Sequence, residues 1–218
     1  MKTDTDMQRE VLDELAWEPS VKAQDIGISV KDGIVTLTGN VPTYVEKHAA
    51  ESAAKRVAGV RGIAEELTVN LLGAHHRDDG DIAEAAKNAL DWNVSVPNGK
   101  IQTVVEKGWI TLSGDVEWNY QREAAHNSVR HLMGVKGVFN LIKLKVPSAS
   151  TAEVRNKIEA ALRRNMMGDA ADVTIGSNGS KVTLRGKVHS WEEHDEAGIA
   201  AWSAAGVTAV ENDLLVTY

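Results

Sequence analysis

Val35-Thr36-Leu37-Thr38-Gly39-Asn40-Val41 is written three times in this chain. It returns as Ile110-Thr111-Leu112-Ser113-Gly114-Asp115-Val116 and again as Val182-Thr183-Leu184-Arg185-Gly186-Lys187-Val188. The glycines of the three copies, Gly39, Gly114 and Gly186, are almost evenly spaced. Each is followed, at the same distance in every copy, by a second signature: Gly59-Val60-Arg61-Gly62-Ile63, Gly134-Val135-Lys136-Gly137-Val138 and Gly206-Val207-Thr208-Ala209-Val210. A fixed internal period is the mark of one supersecondary unit repeated along a chain. A site built once per unit should then occur three times, and any chemistry confined to one copy needs its own cause.

Reading outward from the glycine strand gives the rest of the unit. An amphipathic helix opens each copy, with apolar residues at i, i+4 and i+8: Met7, Val11, Leu15; Ile82, Ala86, Leu90; Val154, Ile158, Leu162. Asp81-x-x-Glu84 and Ser150-x-x-Glu153 read as starts of the second and third of these helices. A hairpin follows, turning at Asp32-Gly33, Lys107-Gly108 and Asn178-Gly179. The second helix starts at the capping boxes Thr43-x-x-Glu46 and Ser190-x-x-Glu193, whereas the middle copy has Trp118 in place of the cap. Its inner stripe is small: Ala50, Ala53, Val57; Ala125, Ser128, Leu132; Ala197, Ala200, Ala204. Gly59, Gly134 and Gly206 are expected to end that helix in a left-handed conformation. A last strand closes the unit. The expected fold is α+β: three tandem α-β-β-α-β units over residues 1–72, 78–147 and 148–218, each with two helices on one face of a three-stranded mixed sheet. Gly39, Gly59, Gly114, Gly134, Gly186 and Gly206 are the structural glycines of that scheme.

The V-T-L-x-G-x-V strand, the G-V-x-x-V turn and Asn140 or Asn212 before the final strand resemble the BON domain, named for bacterial osmotic-shock and nodulation proteins. Glu65 departs from that pattern in the first copy, and Trp17-Glu18-Pro19 is similar to cytoplasmic-type members. The resemblance implies a non-enzymatic module linked to osmotic and envelope stress that binds phospholipid surfaces or other envelope components. Its best-known members are exported to the periplasm. Met1-Lys2-Thr3-Asp4-Thr5-Asp6 runs straight into the first helix without an apolar signal region, so the expectation here is a cytoplasmic protein, peripheral at the inner membrane.

Composition narrows the chemistry. With 218 residues, 43% hydrophobic, the chain has apolar content for several cores. The net charge of −7 argues against a nucleic-acid partner. It contains no cysteine, which removes disulfides, thiolate metal sites and cysteine nucleophiles. The basic-centred Gly59–Gly62 and Gly134–Gly137 loops resemble a nucleic-acid clamp in spacing only; they join helix to strand, and the third copy breaks the pattern with Thr208 and Ala209. His126 with His131, and His189 with His194, are five apart and point to different helix faces. His75-His76 beside Asp78, Asp79 and Asp81 reads as a solvated linker rather than a metal site. The residues that repeat are Gly, Val, Leu and Thr, so no catalytic site, cofactor or metal is expected.

The aromatic residues differ between copies and carry the functional expectation. Trp17 and Trp92 align at the end of helix one, either folded over the rim of the core or exposed for insertion into a bilayer interface. Trp109 stands on the open sheet face, where a neighbouring unit or a partner is expected to cover it. Ile199 and Trp202, three apart on the third unit's second helix, replace polar residues of the other copies and are expected to be buried against another unit or in an oligomer interface. Arg155, Arg163 and Arg164 on the third unit's first helix could meet anionic head groups at about 1 kcal/mol each. The candidate partners are therefore an anionic phospholipid surface or, if the apolar patches serve assembly instead, a homo-oligomer or protein partner.

Overall fold

The computed structural model describes residues 2–145, 151–165 and 173–217. It contains the α-β-β-α-β order three times. The first repeat is α1 (Asp4–Trp17), β1 (Ile26–Lys31), β2 (Ile34–Val41), α2 (Tyr44–Arg56) and β3 (Gly62–Val69). The second is α3 (Asp79–Trp92), β4 (Ile101–Glu106), β5 (Trp109–Val116), α4 (Asn119–Arg130) and β6 (Gly137–Leu144). The third is α5 (Thr151–Asn165), β7 (Val173–Asn178), β8 (Lys181–Val188), α6 (Trp191–Trp202) and β9 (Ala209–Val216). Each sheet has its middle element in the centre, in the orders β1-β2-β3, β4-β5-β6 and β7-β8-β9. The hairpin pair is antiparallel, and the closing strands β3 and β9 run parallel to β2 and β8 after a helical crossover. By packing, the chain divides into two compact units, Met1–Gly114 with Ala124–Leu141 and Asp115–Glu123 with Ile142–Tyr218, so the division falls inside the second repeat.

Alternation decides which sheet face is covered. Val35 and Leu37 of β2 are buried while Ile34, Thr36 and Thr38 look outward, and β5 and β8 follow suit with Ile110, Leu112, Val182 and Leu184 inside. The predicted helix stripes lie against these residues: Met7, Val11 and Leu15, then Ile82, Ala86 and Leu90, then Val154 and Ile158 are buried. Leu162 and the Ser150-x-x-Glu153 signal lie outside the described side chains. Ala197, Ala200 and Ala201 bring α6 close to its sheet, Ala204 is buried just beyond the helix, and in α4 Val129 takes the buried place expected for Ser128.

Three local expectations are corrected. The helix before each G-V signature stops at Arg56, Arg130 or Trp202, about a turn short of the glycine. Gly59, Gly134 and Gly206 do hold φ values of 109°, 90° and 93°, but they turn the chain into the closing strand instead of capping the helix. The cap of α3 is Asp78, whose carboxylate accepts the Asp81 amide at 2.8 Å, so the helix begins ahead of the predicted signal. The third hairpin turns at Gly179-Ser180, since Asn178 pairs with Lys181. There Gly179 alone has positive φ, unlike Asp32-Gly33 and Lys107-Gly108, where both turn residues do.

Two devices in the first and second repeats were not announced by the sequence pattern. Asp4, in the first turn of α1, accepts the backbone N–H groups of Asp32 and Gly33 at 2.9 and 3.1 Å. Asp79 does the same for Lys107 and Gly108 at 2.7 and 2.9 Å. A helix-one carboxylate thus clasps the strained hairpin turn with charge-assisted bonds. Asp79→Ala is expected to cost about 2 kcal/mol, because two turn donors lose an ionised acceptor. Chemical denaturation measures it, and an unchanged midpoint would show the clasp to be idle. At the start of helix two, Gln121 Oε1 accepts from the amides of Glu117 and Trp118, supplying the half of a capping box that the middle copy was expected to lack. The Glu65 departure is also explained. Lys47 Nζ bridges Glu65 at 2.8 Å in the first repeat, where the third ties Asn212 Nδ2 to the His194 carbonyl at 2.7 Å.

Candidate functional site

Trp17 and Trp92 end α1 and α3, and both rings stand in solvent, 83% and 87% exposed. The amphipathic spacing explains why. Leu15 and Leu90 are the last buried positions of their helices, and residues two further on lie about 200° round the helix, on the outer side. Val94, beside Trp92, is fully exposed as well. The reading in which these rings fold over the core rim is therefore overturned, and the two repeats present tryptophan at the same place. Carboxylates flank both. Glu18 accepts from Ser20 Oγ at 2.8 Å and from Arg56 at 3.4 Å, and the Ser20 hydrogen bonds hold its carboxyl below the usual carboxylate range. Asp91 pairs with Lys87 at 2.9 Å.

The expected basic surface is thinner than its sequence suggests. Arg155 spends its guanidinium on Glu159 one turn on, at 2.8 Å. The side chains of Arg163 and Arg164 lie outside the described residues.

Trp109 is 38% exposed and lies flat on the open face of its own sheet. Its ring stacks on Phe139 of β6, with centroids 4.9 Å apart and planes at 18°. Gly137 makes this possible, since a Cβ there would sit 2.2 Å from the ring. Val104 and Leu141 continue the exposed apolar face, which borders a shallow groove of about 450 Å³ with Lys107 and Lys136 on its edge. In the third repeat the same face is polar: Lys181 pairs with Glu211, and Arg185 with Asp213 at 3.6 Å. Phe139 and Leu141 were not singled out from sequence. Aligning the closing strands would have found them, because Ala64 and Glu66 in the first copy and Glu211 and Asp213 in the third hold those places.

A groove of about 670 Å³ runs between α3 and the edge strand β4 and is lined by Ala83, Leu90, Val96 and Thr103, among others. In the first repeat Gln8 donates its Nε2 to the Ile28 carbonyl at 2.7 Å across the corresponding gap. Ala83 and Thr103 are the matching residues of the second, so the groove opens where that glutamine is replaced by a methyl group.

Ile199 is 65% exposed in the single chain. Trp202 is half-buried on the third core, with the Arg122 guanidinium 4.6 Å above its ring. In the first compact unit the structurally matching residue is Arg130. It donates from Nη1 to His48 Nε2 and from Nε to His131 Nε2, both at 3.0 Å, while His48 Nδ1 meets Ser52 Oγ at 3.3 Å. Both imidazoles must be neutral to accept. Burial, followed by the Arg130 charge, pushes the His48 pKa below the ordinary value of 6.5, and the same two causes lower that of His131. Glu51, His126 and Lys55 are the other charged or titratable groups acting on His48.

With the folded-state histidine pKa depressed, the unfolded chain binds the proton first, so stability is full above about pH 6.5 and falls as pH drops from there to the lower folded value. Denaturation midpoints are therefore expected to decline as pH falls below about 6.5, and to decline less in His48→Gln. Equal slopes for the two proteins would remove the Arg130–His48 contact from the account.

Among the described residues no group of His, Asp or Glu is arranged to hold a metal ion, and no helix is long and apolar enough to cross a membrane. The BON domain family matches at residues 3–70, 78–146 and 150–218. Osmotically-inducible protein Y of Escherichia coli (strain K12) is 29% identical over 130 residues, 58% of this chain and 65% of that protein, so less than two thirds of the relative is spanned. Among solved structures, CdsD, a structural protein of the type III secretion system of Chlamydia trachomatis, aligns over 97% of this chain and 92% of its own at 14% identity and a TM-score of 0.28. The C-terminal domain of CdsD aligns over 100% of both chains, also at 14% and 0.28. At those scores the likeness adds nothing to the fold described above.

Proposed function

The chain belongs to the BON domain family, in three tandem copies, and from that premise we propose that it is a non-enzymatic, osmotic-stress-associated module that docks on phospholipid surfaces through aromatic insertion. The stress association is carried over from the osmotically inducible relative. The single observation that supports the docking mode is the pair of exposed rings, Trp17 and Trp92, at equivalent positions of two repeats. Tryptophan favours the boundary between head groups and acyl chains, where an apolar ring with one N–H donor is accommodated. Two such anchors on one tether act together, since binding of the first raises the effective concentration of the second.

Electrostatics plays the smaller part in this reading. Glu18 and Asp91 stand beside the rings, and Arg155 is matched by Glu159. Anionic lipid therefore gains little over zwitterionic lipid, and salt should change binding only slightly. The test is co-sedimentation with phosphatidylcholine vesicles, with and without phosphatidylserine, comparing the native protein with Trp17→Ala/Trp92→Ala. Absence of native-protein binding to both vesicle types, or equal binding by the double variant, would defeat the proposal.

A further inference from the structure

The first two repeats meet through the start of α2 and the end of α4. His48 of α2 accepts from Arg130 of α4 at 3.0 Å, and the Tyr44 phenol reaches the backbone of Val138. In the second compact unit, the start of α4 meets the end of α6 in the same sense. Arg122 covers Trp202 at 4.6 Å, and Trp118 shares a groove of about 370 Å³ with Ala200, Ser203 and Ala204. The repeat spacing makes these one relation seen twice. Trp202 holds in the third repeat the position that Arg130 holds in the second, and Arg122 corresponds to Lys47, the neighbour of His48. In both cases the first half of helix two in one repeat takes hold of the last turn of helix two in the next.

Such a contact uses different surfaces on its two sides and does not close on itself. It leaves one surface of each kind over. At the beginning of the chain the leftover is the last turn of α2, where Lys55 stands at the position of Arg130 and Trp202. Among the described residues its ion pair is with Glu51, one turn back on its own helix at 3.0 Å. At the end of the chain the leftover is the start of α6, where Asp195 stands at the position of His48. Asp195 is exposed and touches only its neighbour His194, at 3.1 Å, among the described contacts. The two leftover positions carry opposite charge.

We propose that a second copy of this chain occupies them: the start of α6 in one molecule docks on the end of α2 in the next, with Asp195 facing Lys55, extending between chains the contact that already links repeats within one. The contact is heterologous, so it propagates head to tail, into a string or into a ring of three or more chains where the rotation between copies closes. This inference is independent of lipid docking and uses none of the residues assigned to it.

Sedimentation velocity on the full chain over a wide concentration range tests it. The expected result is a weight-average mass that keeps rising past two chains and falls with added salt. Lys55→Glu alone and Asp195→Lys alone should each weaken association at least about tenfold, since like charges then face across the contact. Mixing the two single variants, or combining both changes in one chain, should restore it. Circular dichroism establishes that each variant folds, as both residues lie at the surface. A single-chain mass at every concentration, a plateau at two chains, or no rescue in the mixture would each overturn the proposal.

Discussion

Gly114→Ala is expected to be the most damaging conservative change in the middle repeat, costing about 3–5 kcal/mol. Two independent effects act at this residue. Its φ of 138° lies in a region that side-chain-bearing residues rarely adopt. A methyl group would also sit 2.1 Å from the Lys100 carbonyl oxygen and 3.1 Å from its carbon. Both neighbours are backbone, so no side-chain rotation can relieve the overlap. The prediction has a definite sign. If the glycine only added freedom to the unfolded chain, alanine would stabilise by about 0.4–1 kcal/mol. Gly39 is its counterpart, with φ 129° and an added methyl 2.3 Å from the Asp25 carbonyl oxygen, and Gly39→Ala should cost a similar amount in the first repeat. Denaturation by urea reads the loss, and hydrogen exchange reads its place. Protection should fall first in β4 and β5 for Gly114→Ala and in β1 and β2 for Gly39→Ala. A stabilised variant at either position would refute the close-approach argument.

Removal of both exposed tryptophans is expected to have the largest functional effect and almost none on stability. A ring that moves from water into the bilayer interface gains on the order of 1–2 kcal/mol, a fraction of full burial. Each single substitution should then lower vesicle partitioning about tenfold, and the pair about a hundredfold. The rings touch little of the folded protein, so the denaturation midpoint should not move by more than about 0.5 kcal/mol. Trp109→Ala serves as the contrast. Its ring is stacked on Phe139, and removing it should disturb the sheet more than vesicle binding. If Trp109→Ala abolished vesicle binding while Trp17→Ala/Trp92→Ala retained it, the membrane-facing surface would be the open sheet of the second repeat.

The repeat, the element order and the inward faces were legible because they rest on periodicities and on glycines with steric necessity. Gly39 and Gly114 announce themselves in sequence for the reason just given: no other residue fits beside the Asp25 or Lys100 carbonyl. Helix and turn boundaries were less legible, since Asp78 and Asp81 are equally good caps on composition alone, and Asn178-Gly179 is a favourable turn pair that strand register displaced by one position. The Asp4 and Asp79 clasps were hidden because a carboxylate in a first helical turn already has an ordinary reason to be there. Their identical placement in two successive repeats was the available signal. At the surface, the amphipathic spacing places Trp17 and Trp92 on the outer side of their helices, but a ring at a helix end can still fold back over the rim, and only the structure separates the two. Trp109 showed the reverse difficulty. Its partner, Phe139, lies beyond an intervening helix in sequence and acquires meaning only when β5 and β6 are laid side by side.

The close approach of Gly114 to the Lys100 carbonyl has a consequence for how this fold tolerates change. Val96 is buried on one side and the Lys100 carbonyl packs beside Gly114 on the other, while Asn98 and Gly99 between these two posts are exposed. The tie of this stretch to the scaffold therefore runs through its two ends and not through Asn98 and Gly99. Foreign peptide inserted at Asn98-Gly99 should be displayed without unfastening the repeat, which makes this stretch the natural grafting point for an engineered recognition loop. The same arrangement offers a route by which duplicated units drift apart: the posts stay, and the span between them is free to be rewritten.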